Sequence, residues 1–421
     1  MAVRMLLSHN LPVSVTRLVA DTARVWTARG VQVTVLFPVV DWVDFKWFQI
    51  QRLSWGRKIR WAAHLAVELV VNGLRRRRWC GFQYYHAPSS VRAERYWLSP
   101  RVAEALREEI TMVHHTYVVP HLLRGYARHG MKMVGVIHNN YESEMGLAAS
   151  DQAAWKTYCL ELERRLAMPR IATSEDLKAA AERLGIPVHP RVVRDGVDVR
   201  LFRPAAARAE RGRLTVTLYC SLHPQKGQAV GLQALAAAQA AWPRSGVRWC
   251  SVGHVLPGSE GVFDHHFGYV HGDAYVRALQ ESDIMIYPSL FDGFPAPPLQ
   301  AMACGAALVT TLVEGVKDWA EDGANCVVCP PGDAPALHAQ IVRVLGDGAL
   351  RERLRAHGRQ TAEAMSMERS AEALLGCLEE IFEGPVPSRF PSVAAGRAAS
   401  SGTSSPPRPL AGPPARLEVA A

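Results

Sequence analysis

Short apolar runs alternate with stretches of helical period along this chain, and the whole pattern occurs twice. In the first half, residues 2–8 and 31–37 have the pattern of strands, and the helical period of residues 13–29 lies between them until Gly30. Further β-rich runs follow at 110–114, 132–138 and 170–173, and helical stretches at 120–129 and 175–184. Strands that alternate with helices indicate a parallel, doubly wound sheet.

The second half repeats this alternation after a junction at residues 195–213, where charged residues and alanines replace the periodic pattern. Its predicted strands are 214–220, 247–252, 284–288 and 307–311, and its predicted helices are 228–241, 273–280, 297–303 and a helical region over 334–381. We therefore predict two Rossmann-like α/β domains that face each other across a cleft. Folds of this class bind ligands at the carboxyl ends of their strands.

Composition excludes several classes of protein. No run reaches the ~18 consecutive apolar residues of a membrane-spanning helix, and the opening MAVRMLLSHN is typical of a buried strand rather than a signal peptide. Eight cysteines in 421 residues do not indicate a disulfide framework. The pair Cys326 and Cys329 lacks the second ligand pair of a zinc site, so we expect two buried thiols and no metal. Because no disulfide framework is indicated, we expect a reducing, cytoplasmic compartment. Residues 385–421 are rich in Pro, Ala, Ser and Gly, which predicts a disordered tail.

The formal net charge of +9 is concentrated in one segment. Residues 46–101 hold twelve Lys and Arg against two acids, so the rest of the chain is close to neutral. Two interpretations stay open: a solvated charged face, or a patch for an anionic membrane surface, since tryptophans and leucines interleave with the basic residues. No recognition motif accompanies the charge, so we expect no nucleic-acid partner.

The most informative stretch is SDIMIYPSLFDGFPAPPLQAMACG at 282–305. A buried strand is expected to end at Pro288, followed by a loop that contains Gly293 and by a helix that begins near Pro298. Gly293 would let a ligand approach the backbone, and a helix start that faces a cleft can bind phosphate. Asp292 and Gln300 flank the loop and can hydrogen-bond hydroxyl groups.

This stretch resembles the donor-site signature of family-4 GT-B glycosyltransferases, an acid, seven residues and a second acid within E-G-F-x-x-P-x-L-E-A-M-A-x-G. The matching positions are Asp292, Gly293, Phe294, Pro297, Leu299, Gln300, Ala301, Met302, Ala303 and Gly305. Other family features follow the same order, namely VGVIHNN at 134–140, RDGVDVRLFRP at 194–204, which resembles N-G-V-D-x-x-x-F-x-P, and SLHPQKG at 221–227. The resemblance implies the GT-B fold, with an acceptor domain at 1–203, completed by a helix at about 368–383, and a donor domain at 204–367.

The resemblance also implies a role for each matched residue. Lys226 would bind the donor diphosphate and Asp292 would hold sugar hydroxyls. Gln300 would bind the ribose, and His138 would lie at the reacting sugar. The backbone at Gly293, Phe294 and Pro295 would line the donor. The family implies retention of the anomeric configuration without a metal or other cofactor, with a nucleotide-diphosphate sugar as co-substrate.

Three residues depart from the family pattern. Gln300 stands in place of the second acid, and an amide is a weaker acceptor for ribose hydroxyls than a carboxylate. Asp292 is one methylene shorter than the usual Glu. Ser221 replaces the family's phosphate-binding Arg, which removes a bidentate phosphate contact that His223 or a distant Arg could replace.

Together these features predict a nucleotide-sugar glycosyltransferase. We expect a glycan or lipid-linked acceptor, a part in cell-envelope or exopolysaccharide synthesis, and a place in the cytoplasm or at the inner face of the plasma membrane. Ser221 and Gln300 motivate a second hypothesis, a catalytically impaired homologue that binds nucleotide or glycan. A phosphorylase or epimerase of the same architecture is a third, because fold does not determine function, but residues 282–305 argue against it.

Overall fold

A computed structural model describes most of the two predicted halves of the chain. The described residues are 2–6, 13–38, 92–96, 110–114, 123, 130, 132–141, 150–206, 212–242 and 246–382. The expected helix at 120–129 (apart from Leu123), most of the basic segment 46–101 and the tail at 385–421 lie outside the described residues.

The first half contains a parallel sheet of six strands. In chain order they are β1 (Ala2–Leu6), β2 (Gln32–Pro38), β3 (Arg92–Tyr96), β4 (Ile110–His114), β5 (Met133–Ile137) and β6 (Arg170–Ala172). They lie side by side in the order β3-β2-β1-β4-β5-β6, and every pairing between neighbours is parallel. This is the strand order of a doubly wound nucleotide-binding sheet.

The second half repeats the same topology. Its strands are β7 (Leu214–Cys220), β8 (Val247–Gly253), β9 (His265–His266), β10 (Ile284–Tyr287), β11 (Ala307–Thr311) and β12 (Val327–Cys329). Their order is β12-β11-β10-β7-β8-β9, again with parallel pairings throughout. Numbered from β7, this is the order of the first sheet, so the prediction of two Rossmann-like α/β halves is confirmed.

The described helices connect and cover these strands. They are α1 (Val13–Ala28), α2 (Ser150–Leu166), α3 (Glu175–Arg183), α4 (Gln228–Ala241), α5 (Gly272–Glu281), α6 (Ala296–Ala303), α7 (Glu314–Lys317), α8 (Ala334–Gly346), α9 (Gly348–Ala364) and α10 (Met367–Phe382). Two short 3-10 helices lie at Pro224–Lys226 and Glu260–Val262.

Sequence periodicity predicted most of these elements with ends that differ by a residue or so. It missed β3, because Arg92–Tyr96 is highly charged and does not alternate. It also missed α2, whose charged residues weaken the apolar stripe. The domain limits 1–203 and 204–367 stay predictions.

Helix α10 carries the end of the described chain back to the first half. After α9 the backbone pairs with the linker, because Val197 N donates to Met365 O (2.9 Å) and Met367 N donates to Val197 O (3.0 Å). α10 then packs on α1, where Trp26 is fully buried and its Nε1 donates to Ala371 O at 2.7 Å. The core of the first half therefore includes the last described helix.

Both sheets change strand order at one point, between β1 and β4 and between β7 and β10. The loops that follow the carboxyl ends of two such strands diverge to opposite sides, which leaves a crevice where α/β proteins bind ligands. The SLHPQKG loop follows β7, and the loop with Asp292 follows β10. The topology of the second sheet therefore brings the two predicted donor motifs to one crevice.

Cys326 and Cys329 are both buried, the latter at the end of β12. Burial raises the pKa of each thiol to about 12, so both stay protonated and poorly nucleophilic at neutral pH. Among the helices described, none is both long and apolar enough to cross a membrane.

Trp26→Ala is expected to lower the free energy of unfolding by about 3–5 kcal/mol, because it leaves a large cavity between α1 and α10. Urea denaturation followed by circular dichroism measures this loss. Glu379→Ala, at an exposed position of α10, should change stability by less than about 0.5 kcal/mol. A loss under about 1 kcal/mol in Trp26→Ala would contradict the packing of α10 on α1.

Candidate active site

Lys226 is placed by a tight turn between β7 and α4. It ends the 3-10 helix Pro224–Lys226, and Gly227 follows with φ +62° before α4 begins. A Cβ at position 227 would lie 1.9 Å from Pro288 O, so the turn is pressed against the end of β10. Only glycine combines this conformation with this approach. The turn thereby brings Lys226 to the loop after β10.

Lys226, Tyr287 and Asp292 form one polar cluster in the crevice of the second sheet. Lys226 Nζ forms an ion pair with Asp292 Oδ2 and lies 3.2 Å from Tyr287 Oη. Tyr287 Oη donates to the same Asp292 Oδ2 at 2.6 Å. Asp292 and Tyr287 are buried, whereas the Lys226 side chain is 20% exposed. Lys226 is therefore the most exposed of the three side chains.

Tyr287 keeps its proton throughout the physiological range. Burial is the main reason that its pKa lies well above the usual 10, and the negative charge of Asp292 raises it further. The phenol therefore acts as a hydrogen-bond donor to the carboxylate. Sequence analysis missed this residue, whose one signal is a hydroxyl at the end of the apolar strand IMIY.

The backbone of Asp292 is held by the start of α7. Asp292 N donates to Glu314 Oε2 at 2.9 Å, and Gly315 N donates to Asp292 O at 3.1 Å. A side chain at Gly315 would come within 2.3 Å of Gly293 O, so the two segments meet backbone to backbone. Glu314, also missed from the sequence, positions the loop and adds a second carboxylate to the site.

Gly293 is one of the places where the two halves touch. A Cβ at this position would lie 2.0 Å from His138 O and 2.8 Å from Leu177 Cδ1. The sequence suggested that glycine here admits a ligand, but the space beside its Cα is filled by the backbone that follows β5. The need for glycine therefore comes from the close approach of the two halves.

The remaining predicted donor residues lie on or just before α6. Phe294 and Pro295 are buried, Pro295 is the N-cap, and Gln300 is buried farther along the helix. Pro297 and Pro298 occupy the first turn, so two of its backbone positions have no N–H. This helix start is therefore a poorer anion site than the sequence suggested.

Ser221 lies in the loop after β7, where its Oγ accepts a hydrogen bond from His223 N at 3.2 Å. The hydroxyl thus supports the turn that precedes Lys226. Ser221 and Lys226 belong to one loop, as predicted, although Ser221 contributes no charge there.

His138 follows β5 at the carboxyl edge of the first sheet and is nearly buried. Its Nε2 lies 3.1 Å from His114 Nδ1, and its Nδ1 lies 3.3 Å from Asp195 Oδ2. Its Nε2 is therefore hydrogen-bonded and its Nδ1 lies beside a carboxylate, and the part of His138 that contacts the loop after β10 is its carbonyl oxygen. His114 and Asp195 were not singled out from the sequence.

The described part of the chain holds no group of three or more His, Cys, Asp and Glu side chains arranged to bind a metal ion.

Known family models match both halves of the chain. Residues 15–201 match the model described as "Glycosyltransferase Family 4", and residues 213–347 match "Glycosyl transferases group 1". The chain belongs to the family-4 glycosyltransferases. Each match includes candidate site residues. His138 lies in the first match, and Lys226 and Asp292 lie in the second.

Two bacterial relatives of named function are similar in sequence. The chain is 23% identical over 285 residues to the MMP alpha-(1->4)-mannosyltransferase of Mycolicibacterium hassiacum. This alignment covers 62% of this chain and 68% of that protein. It is 31% identical over 103 residues to the O-antigen chain mannosyltransferase B of Escherichia coli, which covers 24% of this chain and 26% of the relative. The chain thus spans only about a quarter of the second protein.

Solved GT-B structures share the fold at low sequence identity. HepE of Anabaena, solved in complex with UDP, is 15% identical with a TM-score of 0.64 over 90% of this chain and 100% of that one. The sucrose-phosphate synthase of Thermosynechococcus elongatus is 17% identical with a TM-score of 0.63 over 91% and 100%. These likenesses confirm the GT-B fold of this family-4 chain.

Gly293→Ala is expected to lower the free energy of unfolding by about 1–3 kcal/mol, because the new Cβ overlaps the His138 carbonyl and neither backbone can move aside cheaply. Thermal and urea denaturation measure the loss. Gly261→Ala is the matched control, since no atom lies within 4 Å of its added Cβ. Equal stability of the two variants would contradict the contact between the halves.

Tyr287→Phe is expected to cost about 1.5–3 kcal/mol, the range for a hydrogen bond to a charged group. Its control is Tyr219→Phe, whose ring lies 5.2 Å from that of Tyr287. The Tyr219 hydroxyl has no hydrogen bond to any described residue, so its loss should cost under about 0.5 kcal/mol. Urea denaturation at pH 7 compares the two, and equal losses would show that the phenol does not support Asp292.

Proposed function

We propose that this chain transfers a sugar from a nucleotide-diphosphate donor to a hydroxyl acceptor, with retention of the anomeric configuration. The observation that carries the proposal is the cluster of Lys226, Tyr287 and Asp292 in the crevice of the second sheet. It combines a cation for phosphate with a carboxylate for hydroxyl groups, which are the two functions that a nucleotide sugar requires.

The hydrogen-bonding capacity of the cluster fits a sugar diphosphate. Lys226 has three N–H donors, and among the described residues Asp292 and Tyr287 take two, which leaves one for a phosphate oxygen. Both contacts to Asp292 within the described structure use Oδ2, which leaves Oδ1 to accept hydrogen bonds from sugar hydroxyls. The site can therefore hold both parts of the donor without breaking its own contacts.

In the proposed reaction, the bond between the anomeric carbon and the leaving phosphate oxygen breaks while the acceptor oxygen bonds to the same face of that carbon. The acceptor proton passes to the leaving phosphate, so no separate base is required. Negative charge grows on the diphosphate as the bond breaks, and Lys226 is placed to stabilise it. We propose that this happens without a metal, with Gln300 binding the ribose.

We further propose a glycan or lipid-linked acceptor in envelope or exopolysaccharide synthesis. The names of the two relatives, an O-antigen chain mannosyltransferase and an MMP mannosyltransferase, support a glycan acceptor. The basic segment 46–101, with its interleaved tryptophans, supports a cytoplasmic protein that docks on an anionic membrane surface.

A second candidate function is nucleotide or glycan binding without turnover. It is favoured by the charges at the site. Among the described residues, Lys226 is paired with Asp292, Glu314 accepts from the backbone of Asp292, and Ser221 stands where the family pattern has an arginine. Nucleotide binding with no release of nucleoside diphosphate from any bound nucleotide sugar would support this function and contradict the first.

Lys226→Ala is expected to weaken nucleoside diphosphate binding about tenfold to a hundredfold, because it removes a charge-assisted hydrogen bond. Isothermal titration with UDP, GDP, dTDP and ADP measures the affinities, and turnover of the matching nucleotide sugar should fall with them. Failure of all four to bind the unsubstituted chain would contradict the proposed function.

Lys132→Ala is the matched control for this experiment. Lys132 is an exposed lysine just before β5, at the amino edge of the first sheet, away from the crevices at the carboxyl ends. Its loss should leave affinity unchanged. If Lys226→Ala binds as tightly as Lys132→Ala, the ammonium of Lys226 does not contact the diphosphate.

A further inference from the structure

His114 and His138 form a buried imidazole pair at the carboxyl edge of the first sheet. The ring planes differ by 19° and the ring centroids are 5.4 Å apart, while Nδ1 of His114 and Nε2 of His138 approach to 3.1 Å. The rings therefore meet edge to edge, with the hydrogen bond close to the plane of both. One nitrogen of this contact must carry a proton and the other a lone pair.

Asp195, from the linker, lies at the outer end of this pair. Its Oδ2 is 3.3 Å from His138 Nδ1, with an alignment looser than that of a hydrogen bond. Its side chain is 18% exposed, whereas that of His138 is 8% exposed. The family linker pattern has Asn at this position, so this chain places a carboxylate, which can only accept, where an amide could also donate.

The carboxylate favours one tautomer of both histidines. A negative charge 3.3 Å from His138 Nδ1 attracts the ring proton to that nitrogen, which places the lone pair on His138 Nε2. His114 Nδ1 must then be the donor across the 3.1 Å contact, which leaves a lone pair on His114 Nε2. Burial, and secondarily the neighbouring His138, holds the pKa of His114 well below its usual range, so this ring stays neutral.

His114 Nε2 has no hydrogen-bond partner among the residues that the structure describes, although His114 is 1% exposed. A buried acceptor without a partner destabilises a fold, so its retention requires an explanation. His114 is the last residue of β4, which borders the point where the strand order of the first sheet reverses. That is the crevice in which an α/β sheet binds its ligand.

We propose that Asp195, acting through His138, orients His114 so that its Nε2 accepts a hydrogen bond from a substrate hydroxyl in the crevice of the first sheet. Asp195 and His138 are positioning residues, and His114 is the one that contacts substrate. The substrate contact rests on the proposed function, whereas the order of protons along the three side chains does not.

The order of protons is tested by two-bond ¹H–¹⁵N spectra of the full chain labelled at its histidine rings. Signals are assigned by their loss in His114→Gln and His138→Gln. Both rings are expected as the Nδ1–H tautomer, and Asp195→Ala should convert them to Nε2–H, because nothing then holds the proton at His138 Nδ1. Asp198→Ala, which removes a carboxylate from the same linker, should leave both tautomers unchanged.

Nε2–H rings in the unsubstituted chain, or tautomers that do not respond to Asp195→Ala, would overturn the relay. This measurement needs no substrate, so its failure is distinct from a failure of the proposed function.

The substrate contact is tested by two replacements of His114 that differ in reach. The amide of Gln can place an oxygen acceptor near the position of Nε2, whereas Asn reaches only the position of Nδ1. With the donor identified by titration and octyl α-D-mannopyranoside as the hydroxyl probe, His114→Asn should raise KM for the glycoside about tenfold, the equivalent of one neutral hydrogen bond, and His114→Gln should raise it much less.

Equal effects of the two variants, or a larger effect of His114→Gln, would show that His114 only supports His138. Absence of turnover by the unsubstituted chain, with water or with the glycoside, would count against both the proposed function and the substrate contact, while the tautomer measurement would stand by itself.

Discussion

The candidate donor site depends on the buried side chain of Asp292, because a charged group removed from water requires an opposite charge and hydrogen bonds. Lys226 supplies the opposite charge and Tyr287 a hydrogen bond, and the start of α7 holds the backbone of the same residue. Removal of one partner of a buried charge lowers stability by more than the whole pair contributes to it, because the remaining charge is left uncompensated. The loop after β10, the turn after β7 and α7 are therefore held in one arrangement around this carboxylate.

The same loop joins the two halves of the protein. Gly293 lies against the carbonyl of His138, so the carboxyl edges of both sheets meet within one residue of Asp292. The ring of His138 points to His114 and Asp195 instead. His138 therefore has two separate roles. Its backbone carbonyl packs against the loop after β10, whereas its ring lies between His114 and Asp195. A substitution at Gly293 or at His138 would therefore alter the contact between the halves, beside the site where we propose that the sugar is transferred.

Periodicity predicted most of the described strands and helices, because burial of one face imposes a pattern on the sequence. Motif spacing placed Lys226 and Asp292 at a common site, and the structure brings them into contact. The strand and the site residues that sequence analysis missed have no signal in a local sequence pattern. Arg92–Tyr96 forms an edge strand through backbone pairing with β2, without an apolar pattern. The roles of four other residues depend on partners 5 to 61 residues away in the chain, which a local pattern does not record; these residues are Tyr287, Glu314, His114 and Asp195.

The sequence by itself determined the two α/β halves, the positions of the donor motifs and the family, since these depend on local periodicity and on residue spacing within single loops. Only the tertiary structure determined which side chains form hydrogen bonds and ion pairs with each other. The contact of Gly293 with the His138 carbonyl, and that of the His138 ring with another imidazole, depend on how separate strand ends pack. Hydrogen bonds act over about 3 Å, so they are set by the packing of the sheets and not by distance along the chain.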